Sequence, residues 1–263
     1  MRVGIAGIKG KISKAIAYEV AKSDLLDLSS ALVRHGYDEV GMDIGEFLKT
    51  KKTGTFITDN IDKLFDESDI VVDFSSPKLT LQLAEVASKK HKILITGTRG
   101  LDDDAIEKLK EYSNNCAILC SNNMSITYNL LLNLVNKMAM YLNDDFVMNI
   151  TNFNNVLLNR EYNKNSNLVA KSIAEGKGWD FCEVLNNTQS KNIKSEKTIN
   201  FSDTNGLNKV EHTEVIFNSL CEELKIEYEV NNDFAFVKGA LKAIFWMSGK
   251  KSGFYTMKDI FEF

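Results

Sequence analysis

The residues best placed to do chemistry stand at the start of the chain. Gly7-Ile8-Lys9-Gly10-Lys11-Ile12-Ser13 separates a short apolar run, Val3–Ala6, from a segment in which Ile12, Ile16 and Val20 recur at helical spacing. A glycine there permits a tight turn, and a second lets backbone approach a pyrophosphate at the N-terminus of the following helix. Gly4 lies inside the strand and is not part of the turn, while Ser13 supplies a third small position. The pattern reads as a dinucleotide turn; the plainer alternative is a strand–helix turn with no ligand. The end of the next strand, Leu28–Val33, is where an acid would accept the ribose hydroxyls of NAD or an Arg would face the extra phosphate of NADP. The run is Leu32-Val33-Arg34-His35-Gly36, with no acid. Arg34 is therefore a phosphate candidate, or else an ordinary surface charge.

Acid–base chemistry is poorly provided for. The three histidines are His35, His91 and His212. His35 and His91 sit among polar residues and read as surface positions. His212 falls on a strand, where a structural hydrogen bond is expected rather than catalysis. Cys116, Cys120, Cys182 and Cys221 form no C-x-x-C pair and are expected to be buried free thiols. Trp179 and Trp246 are expected to pack.

Elements must hold these groups in place, and the first half alternates strand and helix. After Val3–Ala6 and its helix come Leu28–Val33, the β-branched Ile70–Phe74, a helix face of Leu79, Leu83 and Ala87 behind Pro77, then Ile93–Ile95. Asp102 or Asp103 caps a helix carrying Ile106 and Leu109, and Ala117–Leu119 is a further strand. Interleaving of this kind implies βαβ units and a parallel sheet covered on both faces. Near Ser125 the character changes. A long helix carries Leu130, Leu131, Leu134, Val135, Met138 and Leu142. Strands follow at 146–151, 197–203, 210–219 and 221–230, with a short helix at Leu168–Glu175 and a closing helix near Phe234–Met247. The alternation of Leu224, Ile226, Tyr228 and Val230 with charged residues marks a one-sided antiparallel sheet. The expected architecture is α/β: a Rossmann-type dinucleotide-binding domain formed by 1–124 and 236–263, and a mixed or antiparallel α+β domain over 125–235.

Bulk properties narrow the class further. The 263 residues carry a formal net charge of −4, so there is no basic footprint for nucleic acid. No apolar run approaches the roughly 18 residues of a membrane span, and the glycine-broken start does not look like a signal peptide, so a cytoplasmic protein is expected. Nine asparagines lie between Asn143 and Asn167. With Asn so plentiful, an Asn at an unusual position says little about a role.

Several separated motifs resemble the dihydrodipicolinate reductase family. Gly7-Ile8-Lys9-Gly10-Lys11-Ile12 is similar to its G-x-x-G-R-M, and Asp73-Phe74-Ser75-Ser76-Pro77 to its D-F-T-x-P. Gly97-Thr98-Arg99-Gly100 resembles G-T-T-G, with Arg99 for the second Thr. Asn123-Met124-Ser125-Ile126-Thr127-Tyr128-Asn129 resembles N-F-S-x-G-V-N, with Thr127 for Gly. Glu211-His212-Thr213 matches E-H-T, and Phe236 to Ile260 resembles the family's closing helix and tail. The resemblance implies a homotetrameric enzyme that transfers hydride from NADPH or NADH to a cyclic imine bearing two carboxylates, in diaminopimelate and lysine biosynthesis. It implies cofactor contacts from Gly7 to Ile12, Arg34, Phe74, Gly97, Thr98, Arg99, Ser121, Asn122, Asn123 and Met124, the last two segments lying beside the nicotinamide.

The family's catalytic loop, E-x-H-H-x-x-K-x-D-x-P-S-G-T, is where the chain departs. Its first His and its Lys supply protons, and its S-G-T turn binds a substrate carboxylate. The corresponding stretch runs from Asn152 to Ser166 and contains no histidine. Anchored on Leu168–Ala174, Asn155 stands at the His, Asn159 at the Lys, Glu161 at the Asp, and Asn165-Ser166 at Gly-Thr. Shifting by one to three residues restores no His, Pro or Ser-Gly-Thr. Asn hydrogen-bonds but is no general acid near neutral pH, and loss of one acid–base group costs roughly 10²–10⁴-fold in rate. Arg160 and Lys164 remain as cations for a carboxylate, or else as solvated loop charges. Two readings follow: a reductase with a weakened or rearranged acid–base set, or a catalytically silent homologue acting as a cofactor-binding or partner-binding oligomer.

Overall fold

The computed structural model describes residues 1–155, 163–184, 198–206 and 210–261. Two compact units divide the chain: Met1–Ile126 with Phe234–Glu262, and Thr127–Asp233.

The first unit is built on a parallel sheet of seven strands. In chain order they are β1 (Arg2–Ala6), β2 (Asp27–Leu32), β3 (Ile57–Thr58), β4 (Ile70–Asp73), β5 (Ile93–Thr96), β6 (Ala117–Cys120) and β11 (Gly253–Tyr255). Their spatial order is β3-β2-β1-β4-β5-β6-β11, and the first six follow the doubly wound 3-2-1-4-5-6 pattern. The strands read as continuous apolar runs because both faces are covered: all four residues of β4 and of β6 are buried. The helices that cover them are α1 (Lys11–Ala21), α3 (Ile61–Glu67), α4 (Pro77–Lys90), α5 (Asp103–Tyr112) and α8 (Phe234–Met247), with the short α2 (Ile44–Leu48) beside α1. Pro77 opens α4, where its missing N–H costs nothing. Asp102 caps α5 by accepting from Ala105 N at 2.8 Å. Strand order reverses between β1 and β4, so the ligand crevice of such a fold opens at the carboxyl ends of those two strands.

The expected elements of this unit are present within a residue or two, but 34–69 holds an excursion not anticipated. It contains α2, the two-residue β3 and α3. Asp43 organises it: its buried carboxylate accepts from the backbone N–H of Gly45 (2.8 Å), Glu46 (3.2 Å), Thr53 (3.1 Å) and Gly54 (2.8 Å). Burial works against the ionised form, yet the four N–H donors together hold its pKa below the usual aspartate value.

The second unit carries a sheet of four strands, β7 (Val147–Asn155), β8 (Ile199–Gly206), β9 (Glu211–Asn218) and β10 (Glu223–Val230), in the order β10-β9-β7-β8. β7 and β8 are parallel and the other pairs antiparallel, so the sheet is mixed. α6 (Ile126–Tyr141) and α7 (Asn163–Lys177) are its long helices. The period-two pattern is clean on β9, where Glu211, Thr213, Val215 and Phe217 are buried and the residues between them are half-exposed. α7 is longer than the expected Leu168–Glu175 and begins at Asn163. Among the described residues, no helix is long and apolar enough to cross a membrane.

Candidate functional site

The glycine-rich turn sits at the mouth of the crevice. Gly7 takes φ +68°, a conformation that suits glycine, and its carbonyl accepts from Gly10 N at 2.8 Å to close the turn. Gly7 N and Ile8 N both donate to the carbonyl of Leu32, which fastens the turn to the end of β2. Ser13 is buried and donates from Oγ to the Ala6 carbonyl at 3.2 Å, so the third small position ties α1 to β1. The N-cap of α1 is Gly10, with no side-chain cap and no acidic residue in the first turn. The leading N–H groups of this helix therefore remain suited to an anion.

A cleft of about 260 Å³ opens here, lined by Gly7, Lys9, Gly10, Val33, Arg34, Tyr37, Phe74, Ser75, Ser76 and Leu79. It brings together Gly7, Lys9, Gly10, Arg34 and Phe74 of the expected cofactor set. Lys9 is held by Glu39 at 2.6 Å and lies over the Tyr37 ring at 4.2 Å. Its pKa is raised, first by the bond to Glu39. Ile8 is different: it is fully buried, so its side chain belongs to the core and only its backbone can meet a ligand. Tyr37 and Leu79 were not anticipated as site residues. Leu79 had the signal of a core helix face, and Tyr37 had no spacing signal at all.

Deeper in the crevice, the ends of β4 and β5 are joined through Asp73. This carboxylate is fully buried and accepts four hydroxyl hydrogen bonds, from Ser75 (2.5 Å), Thr80 (2.5 Å), Thr96 (3.0 Å) and Thr98 (3.0 Å). Burial raises its pKa, and the four hydroxyl donors act in the opposite sense. Gly97 packs against the Phe74 ring so closely that a Cβ there would lie 2.2 Å from Phe74 Cε1. Thr98 is buried and Arg99 exposed, with its guanidinium 5.9 Å from the centre of the Phe236 ring. At the end of β6, Ser121 Oγ donates to the Asn123 carbonyl (2.8 Å) and Asn123 Oδ1 accepts from Ser125 N (2.9 Å). Asn123 and Met124 are buried, and Asn122 is exposed.

In the second unit, Ser166 is buried. Lys164, Asn165 and Ser166 lie in the first turn of α7, not in a turn ahead of it. Asn155 is the last residue of β7, and Asn159, Arg160 and Glu161 lie outside the described residues. The inner face of the sheet carries polar groups that had not been assigned to the site. Tyr228 donates to Glu211 at 3.4 Å, Thr213 to Asn152 at 3.4 Å, and Tyr128 packs 5.4 Å from Tyr228. Burial, and then the nearby Glu211, push the Tyr128 pKa well above the ordinary tyrosine value, so it stays protonated.

The remaining candidates fall mostly as expected. His212 bonds to Glu227 at 2.8 Å and stacks on Phe153 at 3.9 Å. With Glu229 these groups place three potential ligand atoms within 4.8 Å of one another, an arrangement the ion pairing already accounts for. His35 is exposed and pairs with Asp59, and His91 Nδ1 donates to the Asn115 carbonyl at 2.9 Å. Trp246 packs edge-on against Tyr255, and Trp179 lies beside Lys177. All four cysteines are free, but only Cys116 and Cys120 are buried. Burial lifts those thiols to about 11 and about 12, which leaves them inert. Cys182 and Cys221 are exposed because they stand in the segments just after α7 and just before β10.

Comparison with known proteins agrees with this geometry. Residues 1–124 match the family model of the dihydrodipicolinate reductase N-terminus, and residues 127–261 match that of its C-terminus. A 4-hydroxy-tetrahydrodipicolinate reductase from Anaplasma marginale is 32% identical over 260 residues, 99% of each chain. One from Hahella chejuensis is 30% identical over 262 residues, 98% of each chain. Among solved structures, a dipicolinate-bound dihydrodipicolinate reductase from Paenisporosarcina sp. TG-14 superposes with a TM-score of 0.74 at 15% identity, covering 99% of both chains. An amine dehydrogenase from Mycobacterium smegmatis gives 0.66 at 10% identity over 98% of this chain and 95% of its own, which shows a shared fold. With a dinucleotide turn in place, both family models matched in order and relatives of full length, the chain belongs to the dihydrodipicolinate reductase family.

Proposed function

We propose that this protein reduces 4-hydroxy-tetrahydrodipicolinate with a nicotinamide cofactor, in the biosynthesis of diaminopimelate and lysine. The observation that carries the reading is end-to-end similarity to reductases so named, 30–32% identical across 98–99% of the chain. The crevice fits the cofactor. The uncapped N-terminus of α1 and the backbone of the glycine turn suit the pyrophosphate, and the Val33–Arg34 end of β2 suits the ribose end of NADPH better than that of NADH. When bound, the nicotinamide supplies the hydride. The chain's own residues must orient it and supply charge and protons to the substrate. Gly97, Thr98, Arg99 and Ser121 to Met124 are assigned to the nicotinamide end. Arg160, Lys164, Asn165 and Ser166 are assigned to the carboxylates of the cyclic imine. Asn155 and Asn159 replace the proton-supplying pair, so protonation after hydride arrival falls to solvent or to Lys164.

The reading extends to a cytoplasmic homotetramer that engages neither nucleic acid nor membrane, in keeping with the net charge of −4. The test is steady-state oxidation of NADPH and NADH by purified protein, with substrate generated in place by the preceding synthase. Turnover above roughly 1 s⁻¹, faster with NADPH, supports it. Intact nucleotide binding without turnover overturns it in favour of the silent homologue.

A further inference from the structure

Four hydroxyls converge on Asp73, and for Thr96 and Thr98 the direction of the bond is fixed by what else the hydroxyl does. Thr98 Oγ1 accepts from Ser75 N at 3.1 Å, and Thr96 Oγ1 accepts from Thr98 N at 3.2 Å. Each hydroxyl therefore spends its proton on Asp73 Oδ2, at 3.0 Å in both cases. Ser75 Oγ donates to the other oxygen, Oδ1, and the Asp73 carbonyl accepts from Gly97 N at 2.9 Å. One side chain thus controls two loops: Phe74–Ser75 after β4, and Gly97–Arg99 after β5. The loops face each other with the Phe74 ring against Gly97, where there is no room for a single methyl group.

We infer that Asp73 is a positioning residue: it touches neither cofactor nor substrate, and it sets the spacing between the Phe74–Ser75 loop on the cleft wall and the Gly97–Arg99 loop assigned to the nicotinamide end of the cofactor. This rests on the cofactor reading proposed above. Asn is only a partial substitute: its oxygen at the Oδ2 position still accepts from Thr96 and Thr98, but its NH2 at the Oδ1 position cannot take the Ser75 proton, and the remaining bonds lose their charge assistance. Thr80 supplies the contrast. Its hydroxyl also ends on Asp73 Oδ2, at 2.5 Å, but Thr80 stands within α4 and ties to neither loop.

The experiment measures NADPH affinity by fluorescence titration of the full chain, with thermal midpoints recorded alongside, for D73N, T96V, T96S and T80V. Thr96 is fully buried and clear of any ligand, so T96V removes the link between Asp73 and Thr98 N without altering the lining of the cleft. Expected are at least a tenfold rise in Kd for D73N and T96V, recovery to within twofold in T96S, and less than a twofold change in T80V despite a comparable loss of thermal midpoint. Wild-type affinity in a folded D73N or in T96V overturns the inference, as does an equal loss in T80V. If D73N does not fold, T96V against T96S and T80V decides alone. A wild-type chain that binds no nicotinamide nucleotide would fail the cofactor reading itself, an outcome separate from wild-type binding that the substitutions leave unmoved.

Discussion

At the end of β2 a guanidinium stands on the wall of the cleft where an acid would select a ribose hydroxyl. Val33 has no polar group to offer there, so the proposed preference for NADPH over NADH is assigned to Arg34. A charge-assisted hydrogen bond to phosphate is among the stronger single contacts. Arg34→Ala should raise the KM for NADPH by roughly tenfold and leave that for NADH within about twofold. Equal losses for both cofactors would move Arg34 from selectivity to general packing. Gly97 makes a second prediction at this scale. Its Cα faces the Phe74 ring with no space for a methyl group. Gly97→Ala should cost about 1–3 kcal/mol by overpacking and displace Phe74 from the cleft wall, weakening nucleotide affinity as well as stability. Unchanged urea denaturation would show that the ring yields freely.

At the scale of elements, the excursion between β2 and α3 depends on Asp43. The folded-state pKa lies below the unfolded one, so ionised Asp43 stabilises the fold above the ordinary aspartate range, and that contribution fades as pH falls through the folded value. Asp43→Asn should lower the thermal midpoint near neutral pH by roughly 5 °C and flatten the acid limb of the stability profile. Parallel acid limbs for variant and wild type would count against it. This excursion also shows where sequence reading runs out. β1, β4, β5 and β6 were legible because strands buried on both faces must be apolar throughout, and α4 and α5 because Pro77 and Asp102 punctuate them. β3 is two residues long and α2 five, too short for any periodicity. What holds α2 and the turn before β3 is a side chain bonded to backbone up to eleven residues away, and β3 itself is held by pairing with β2. The site divides in the same way. The glycine turn and Arg34 were legible from local spacing. The convergence of Ser75, Thr80, Thr96 and Thr98 on Asp73 joins positions up to 25 residues apart and takes form only when β4 and β5 pair. Ile8 divides within itself: the motif assigns the whole turn to ligand, while packing claims its side chain for the core and leaves its backbone in the turn.

At the scale of the molecule, the second unit's sheet has one face turned away from its core. The residues on it are Val147, Asn149, Thr151 and Phe153 from β7, His212, Glu214, Ile216 and Asn218 from β9, and Glu223, Lys225, Glu227 and Glu229 from β10. Val147 is 51% exposed, and the β9 residues are half-exposed. An apolar strip of Val147 and Ile216 beside ion pairs of Glu214 with Lys225 and Glu227 with His212 suits a second copy of the same surface. This face carries four glutamates, Glu214, Glu223, Glu227 and Glu229, against one lysine, Lys225, and one histidine, His212, so apposed copies repel one another until salt screens them. The proposed homotetramer should therefore have a mass near four times 29.6 kDa by light scattering, and its association should tighten between about 0.05 and 0.5 M salt as the Debye length shortens. Ile216→Glu adds a charge where the strip is apolar and should give smaller species with unchanged secondary structure by circular dichroism. A monomer at every salt concentration would remove the tetramer from the proposal. A tetramer indifferent to Ile216→Glu would place the interface on another face of the molecule.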